Sequence, residues 1–208
     1  MSIPMLTPVT LETVQRYAVN AGILCVGLSL DGITDAEAFL AAVTAEGFAS
    51  NILGATSGNI NISEGRSTWT PDHNGKRLPF KGETFLDTAA PSLKATLVEM
   101  SPANIKRMSG AADITGDNTN AVRIKPRATF KADDYVDNLV WFTNYGEDGI
   151  ICARLRNALC TSGLSWDARD KGIATASVEF RAHSDSPVMT DELPIDYWIF
   201  HTASATSI

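Results

Sequence analysis

Tyr135-Val-Asp-Asn-Leu-Val-Trp-Phe142 and Ile150-Ile-Cys-Ala-Arg-Leu155 are two apolar runs rich in β-branched and aromatic residues, and between them lies Asn144-Tyr-Gly-Glu-Asp-Gly149. Runs of six to eight such residues on either side of an Asp-Gly turn signal read as a β-hairpin. Working outward, the same pattern recurs. Ile23–Leu28 is a short apolar run, and Asn59–Ser63 alternates polar with apolar. Thr84–Met100 is strand-like on both sides of Pro91, which marks a bend or break. Val122–Ile124 and Thr129–Phe130 continue the series, Ala174–Ala182 extends it, and Leu193–Phe200 closes it. The expectation is a mainly β chain.

Two segments read as helices. Ser101-Pro-Ala-Asn-Ile-Lys-Arg-Met-Ser-Gly110 has a capping serine, a proline in the first turn and a terminating glycine. Ile105 and Met108, three apart, give it one apolar stripe to lay on a sheet. The second runs over about Asp35–Glu46, with Thr34 or Asp35 as cap and Gly47 as stop; Phe39, Leu40 and Val43 are expected to share a face. Between the helices, Gly54–Gly82 is rich in Gly, Asn, Thr and Ser and holds Arg66, Trp69, Asp72, His73, Lys76 and Arg77. A stretch this long without a core pattern is either functional or extended as a long hairpin. Residues 1–20 and 201–208 read as arms, and no composition break divides the 208 residues, so one domain is expected.

Composition is that of a soluble globular protein: 44% hydrophobic and 20% charged residues. No apolar run approaches the ~20 residues of a membrane helix. Met1–Glu12 lacks the pattern of a secretion signal, so the Asn61-Ile-Ser63 sequon carries no weight. Cys25, Cys152 and Cys160 lack metal-site spacing and read as three reduced, buried thiols. The net charge of −7 argues against a sequence-reading nucleic-acid binder. Charge is nonetheless uneven. Residues 105–131 hold six basic groups (Lys106, Arg107, Arg123, Lys125, Arg127, Lys131) against two acidic ones. Residues 132–208 hold five basic and 12 acidic groups. The basic stretch is either a solvated face or a patch that meets an acidic patch on another copy.

No catalytic motif is complete. Gly27-Leu-Ser-Leu-Asp-Gly32 places its second glycine one residue too late for a nucleophile elbow. Gly54-Ala-Thr-Ser-Gly-Asn59 lacks the lysine of a phosphate loop. His73, His183 and His201 are scattered, and Arg169 and Lys171 spoil the calcium-loop reading of Asp167–Gly172. Asp133, Asp134 and Asp137 read as a capped turn or solvated edge rather than an acid/base pair. No enzyme and no cofactor are expected. Exposed arms, a long hairpin and complementary charge blocks suit a self-assembling structural protein.

Several segments, in order, carry a likeness to a known family. They are Asn20-Ala-Gly-Ile-Leu24 and Gly54-Ala-Thr-Ser-Gly-Asn-Ile60; Leu97-Val-Glu-Met-Ser-Pro-Ala-Asn-Ile-Lys106 with Ala111-Ala-Asp-Ile-Thr115; and Ile124-Lys-Pro-Arg127 leading to Asp134-Tyr-Val-Asp-Asn-Leu-Val-Trp141. Leu155-Arg-Asn-Ala-Leu159, Ser162-Gly-Leu164 and Asp170-Lys-Gly172 follow, then Val178-Glu-Phe-Arg-Ala-His183 and Pro194-Ile-Asp-Tyr197. Together they resemble the major tail (tail tube) proteins of long-tailed bacteriophages over most of residues 20–200; the helical stretch Asp31–Ala49 is less typical. The resemblance implies a β-sandwich or barrel-like fold with a flanking helix, near residues 101–110. It implies six-copy rings stacked into a tube, a long assembly hairpin (54–82) and terminal arms that bridge subunits, and inner strands joined into one barrel around the DNA channel. It further implies tape measure, tail terminator and distal tail proteins as partners, transient passage of DNA, no membrane, and a virion tail assembled in a bacterial cytoplasm. Expected interface residues are Met5, Leu6, Arg66, Trp69, Asp72, Lys76, Arg77, Arg123, Lys125 and Arg127. Two other readings stand beside it: the inner tube of a contractile tail or tailed bacteriocin, and a β-sandwich carbohydrate-binding module of a virion.

Overall fold

The computed structural model describes residues 18–54, 56–72, 78, 81–116, 121–146, 149–168, 170–186 and 192–202. These are mainly β. The strands are β1 (Ala18–Val26), β2 (Ile52–Gly54), β3 (Asn61–Ser63), β4 (Arg66–Trp69), β5 (Phe85–Ala89), β6 (Ser92–Leu97), β7 (Ala112–Thr115) and β8 (Arg123–Pro126). Then come β9 (Val136–Tyr145), β10 (Gly149–Cys160), β11 (Ser165–Asp167), β12 (Thr175–Arg181) and β13 (Ile195–His201). Two helices, α1 (Ala36–Thr44) and α2 (Pro102–Ser109), accompany them.

The hairpin expected around Gly149 is the centre of the fold. β9 and β10 pair antiparallel from Gly149↔Tyr145 to Ala158↔Val136. β1 and then β2 extend this sheet on one side, and β13 borders β10 on the other. A second antiparallel sheet runs β10-β12-β6-β3, with β11 also on β12. β10 belongs to both sheets. Its first half pairs with β13, whereas Leu159 and Cys160 pair with Arg181 and Phe180 of β12. The switch falls at Asn157, whose φ of 45° is left-handed. Asparagine tolerates that region better than other side-chain-bearing residues. Its amide Nδ2 donates to the His183 carbonyl (3.3 Å) and to Asp185 Oδ1 (2.5 Å), and the His183 N–H donates to the Arg156 carbonyl (3.1 Å). A strand that bends and changes sheet in this way makes the corner of a sandwich.

Strand alternation then assigns the faces. Leu24, Val26, Leu139 and Leu155 of the first sheet meet Leu93, Leu97, Val178 and Phe180 of the second in one buried core. The opposite face of the first sheet carries Cys25, Val140, Phe142, Ile150, Cys152 and Phe200, and α1 covers it with Ala36 and Phe39. Phe39 sits edge-on to Phe142 at 5.1 Å and 5.5 Å from Phe200. The order of layers is therefore helix, sheet, sheet. α2 adds Met108 to the inter-sheet core, and its buried Asn104 donates from Nδ2 to the Leu53 carbonyl at 2.8 Å. Its cap is as expected: the Ser101 hydroxyl accepts from Asn104 N–H, and Gly110 follows at φ 75°. The three cysteines are free and buried; burial pushes the Cys25 and Cys152 thiols up to about 12, where they are inert at neutral pH.

The structure corrects several details. Leu40 is 49% exposed, because the inward face of α1 runs through Ala36, Phe39 and Val43 and Leu40 lies a hundred degrees round from Phe39. α1 also stops at Thr44, not Glu46: Ala45 leaves the helical region (ψ 147°) and the Thr44 hydroxyl donates to the Leu40 carbonyl. Thr129–Phe130 is a bend rather than a strand; Pro126 ends β8 and Arg127 Nη1 holds the Thr129 carbonyl at 2.8 Å. The expected arms are shorter, since Ala18–Asn20 begin β1 and His201 ends β13. The rest of those arms, 1–17 and 203–208, lies outside the described residues.

Candidate functional site

Two β-ribbons project from the sandwich. The first continues the second sheet. In the β3–β6 pair, Asn61 faces Lys94 and Ser63 faces Ser92; in the β4–β5 pair, Arg66 faces Ala89 and Ser67 faces Thr88. The register is the same as far as Ser67↔Thr88 and slips by one residue at Thr68↔Leu86, a bulge that sets Phe85 opposite Trp69, so β3–β4 and β5–β6 form one long hairpin with its base in the sheet. The transition is at Gly65 (φ +56°), where a Cβ would lie 2.5 Å from the Ala90 carbonyl oxygen, and at the buried Pro91. The expected stretch Gly54–Gly82 holds only one side of this ribbon: Gly54 belongs to β2, β3 and β4 lie within it, and their partners β6 and β5 lie beyond it, while 73–77 and 79–80 are outside the described residues.

On the free part Trp69 is paired directly with Phe85; their rings are 6.0 Å apart and the residues are 58% and 51% exposed. Their cross-strand contact supports a ribbon that is marginal on its own, yet about half of each residue stays in water as apolar surface the ribbon does not cover. The Thr70 and Thr84 hydroxyls are 3.3 Å apart just beyond, and Asp72 is exposed further out. At the ribbon base Arg66 Nε pairs with Glu64 at 2.5 Å.

This base adjoins an open sheet edge. Among the described residues, all seven of β13 pair with β10 and no strand pairs with its other side, and Tyr197 and Ile199 are exposed. Glu64, Arg66, Tyr197, Trp198 and Glu192 line one cleft; burial and then the Glu64 charge push the Tyr197 hydroxyl upward. β13 is fastened inward by ions. Asp196 accepts from Arg154 Nη2 (2.8 Å) and from Arg156 Nη2 (2.9 Å) and Nε (3.0 Å). Arg154 also reaches Asp31 at 3.3 Å and stacks over Trp198 at 4.7 Å. Burial would raise the Asp196 carboxyl, but Arg156 and Arg154 hold it below the usual carboxylate range.

The second ribbon is β7–β8, with Asp113 opposite Lys125 and Thr115 opposite Arg123. Arg123 and Lys125 are exposed. Arg127 is not: its side chain is 13% exposed and its Nη2 donates to both oxygens of Asp134 (2.5 and 2.7 Å), whose side chain is 1% exposed. Arg127 Nε lies 3.0 Å from Asp113 Oδ1 as an ion pair, without the alignment of a hydrogen bond. Asp134 also accepts from the Lys131 N–H at 2.7 Å, which makes it the expected capped turn. The basic stretch is therefore not one patch. Arg127 is engaged inside the subunit. Lys131 lies 3.9 Å from Asp113, and half-buried Arg107 donates to Asn104 Oδ1 at 3.2 Å.

The Asp134 pair has a pH signature. Burial would raise the carboxyl, yet the Lys131 N–H and Arg127 hold it below its usual value. A carboxyl depressed on folding stabilises above its unfolded pKa of about 4, and that contribution is lost as pH falls through the lower folded value. Asp134→Asn should therefore cost about 3 kcal/mol at pH 7, since it strands a buried guanidinium. Urea titrations should show the deficit shrinking as pH falls below the ordinary carboxylate range. A deficit independent of pH would contradict this account.

Of the expected interface residues, Arg66 and Trp69 share the first ribbon with Asp72 beyond it, and Arg123 and Lys125 share the second; Met5, Leu6, Lys76 and Arg77 lie outside the described residues. Sequence reading missed Phe85, which only the hairpin register brings beside Trp69. It also missed the Arg154–Asp196–Arg156 cluster, for which no local spacing gives a signal. Among the described residues no group of acidic, His or Cys side chains could hold a metal, and no helix is long and apolar enough to cross a membrane. No family model matches the chain, and no curated protein is significantly similar to it.

Proposed function

We propose that the chain is a structural subunit of a bacteriophage tail tube, assembling as six-copy rings that stack around a channel for DNA. The observation that carries this reading is the free half of the long hairpin, with the exposed Trp69–Phe85 pair at its side and the open β13 edge at its base. Sheet edges left unpaired are templates for another chain, and closing a ring of subunits removes them. The hairpin crosses to a neighbouring copy and buries its aromatic pair there. Arg123 and Lys125 meet acidic surface on another subunit, and the net charge of −7 suits a conduit whose wall must not hold phosphate. Tape measure, terminator and distal tail proteins are the further partners on this reading, and the virion tail is the location.

Negative-stain microscopy of concentrated protein tests it. Stacked rings or tubes of uniform width are expected, and particles that stay single at every concentration would defeat it. One observation favours a second reading, a carbohydrate-binding module: Tyr197 and Trp198 share a cleft with Glu64 and Glu192. A glycan screen with a hit abolished by Tyr197→Ala would favour that reading.

A further inference from the structure

We propose that Arg127 is the pin that fixes the direction of the β7–β8 ribbon, and that it serves assembly only by presenting Arg123 and Lys125; the second half rests on the assembly reading above. A ribbon of two four-residue strands cannot hold its own orientation. Arg127 sits where its strands converge. Its N–H donates to the carbonyl of Ala111, the residue before β7, at 2.9 Å. Its guanidinium reaches Asp113 on β7, the Thr129 carbonyl, and both oxygens of Asp134. Asp134 lies in the turn that enters β9, a central strand of the first sheet. To the packing of β7 and β8 against α2 and the burial of Ala111 and Ala112, this side chain adds an ionic tie between the ribbon base and the sandwich. Its donors are directed inward and its partner carboxylate is buried, so a neighbouring subunit finds little of it to bind. Arg123 and Lys125 are the reverse: exposed, with no ion pair among the described residues. A lysine at 127 could supply the charge but not the planar fork that grips two carboxylates and a carbonyl.

Two measurements on the full-length chain test this. In hydrogen exchange, Arg127→Gln should speed exchange at 112–115 and 123–126 by about tenfold or more while the β9–β10 amides stay protected. Arg127→Lys should give a partial rescue, and Lys125→Gln, which sets no like charge opposite Asp113, should leave exchange unchanged. If Arg127→Gln does not fold, Asp134→Asn, which keeps the shape, replaces it with the same expected result. Unchanged exchange at the ribbon would overturn the pin. In polymerisation followed against salt, Lys125→Glu should flatten the salt dependence, because it removes an exposed charge from the encounter. Arg127→Gln should slow polymerisation at every salt concentration with the dependence retained. If Arg127→Gln flattens it instead, Arg127 is an interface cation and the proposal fails. If the unmodified protein forms no tubes, the assembly reading fails, and the exchange result alone decides the pin.

Discussion

Replacing Trp69 and Phe85 together by alanine is expected to raise the protein concentration needed for polymerisation about 30-fold or more, with the unfolding midpoint unchanged. The size follows from interface energetics. Well-buried aromatic anchors typically contribute about 2 kcal/mol or more, and 2 kcal/mol is roughly a 30-fold change in an association constant. The specificity follows from where the pair sits. Both residues are on the part of the hairpin that has left the second sheet, and neither belongs to either buried core. Their mutual contact, worth about 0.5–1.5 kcal/mol, stabilises only a ribbon that frays on its own. Sedimentation across a concentration series measures the first effect, and urea unfolding followed by circular dichroism measures the second. Tubes forming at the unmodified concentration would remove the hairpin from the interface. A large loss of global stability would mean that the ribbon folds with the sandwich and not apart from it.

What could be read from the sequence and what could not divide along a physical line. Wherever one face of a strand is buried and one is wet, the period of two is written in the residues. The β12 segment Thr-Ala-Ser-Val-Glu-Phe-Arg alternates, with Ala176, Val178 and Phe180 buried. Helix caps are also local, so Ser101 and Gly110 mark α2 without help from the rest of the chain. The middle of the first sheet is covered on both faces, so 139–142 of β9 reads as a continuous apolar run, and nothing in it says which residue faces which layer. The exposed Leu40 was misplaced for a related reason: three apolar neighbours on a short helix define a face only once the sheet beneath is known. The corner at Asn157 has no local signature, because any asparagine tolerates a positive φ and the need for one arises from two sheets meeting. Charge was the least legible. Six cations in 105–131 read as either a solvated face or one patch, but Arg127 reaches seven residues ahead to Asp134, whereas Arg123 and Lys125, on β8 just before it, face water. Pairing within a subunit competes with pairing between subunits, and composition does not reveal which wins.

The largest stability effect is expected from Phe39→Ala, in the stretch that the tail tube resemblance accommodates least. If Asp31–Ala49 were an appendage, truncating one of its side chains would cost little. The structure gives it another role. Phe39 is fully buried, and α1 covers the face of the first sheet that the second sheet cannot reach. Its ring lies against Phe142 on central β9 and Phe200 on edge strand β13, so one side chain spans the middle and the rim of that face. Truncating a buried phenylalanine costs about 3–5 kcal/mol, lost transfer energy plus the cavity left behind. Against a typical domain stability of about 5–15 kcal/mol, that is roughly a fifth of the total or more. Leu40→Ala, one residue along and exposed, should stay within about 0.5 kcal/mol. Urea midpoints separate the two variants. Thiol labelling reports the mechanism independently, because Cys25 and Cys152 lie under α1 in the same cluster. They should react faster in Phe39→Ala than in Leu40→Ala under conditions where both remain folded. If the midpoint falls but labelling does not quicken, the helix stays seated and the loss lies in cavity formation alone. If neither changes, α1 is not what keeps that face dry.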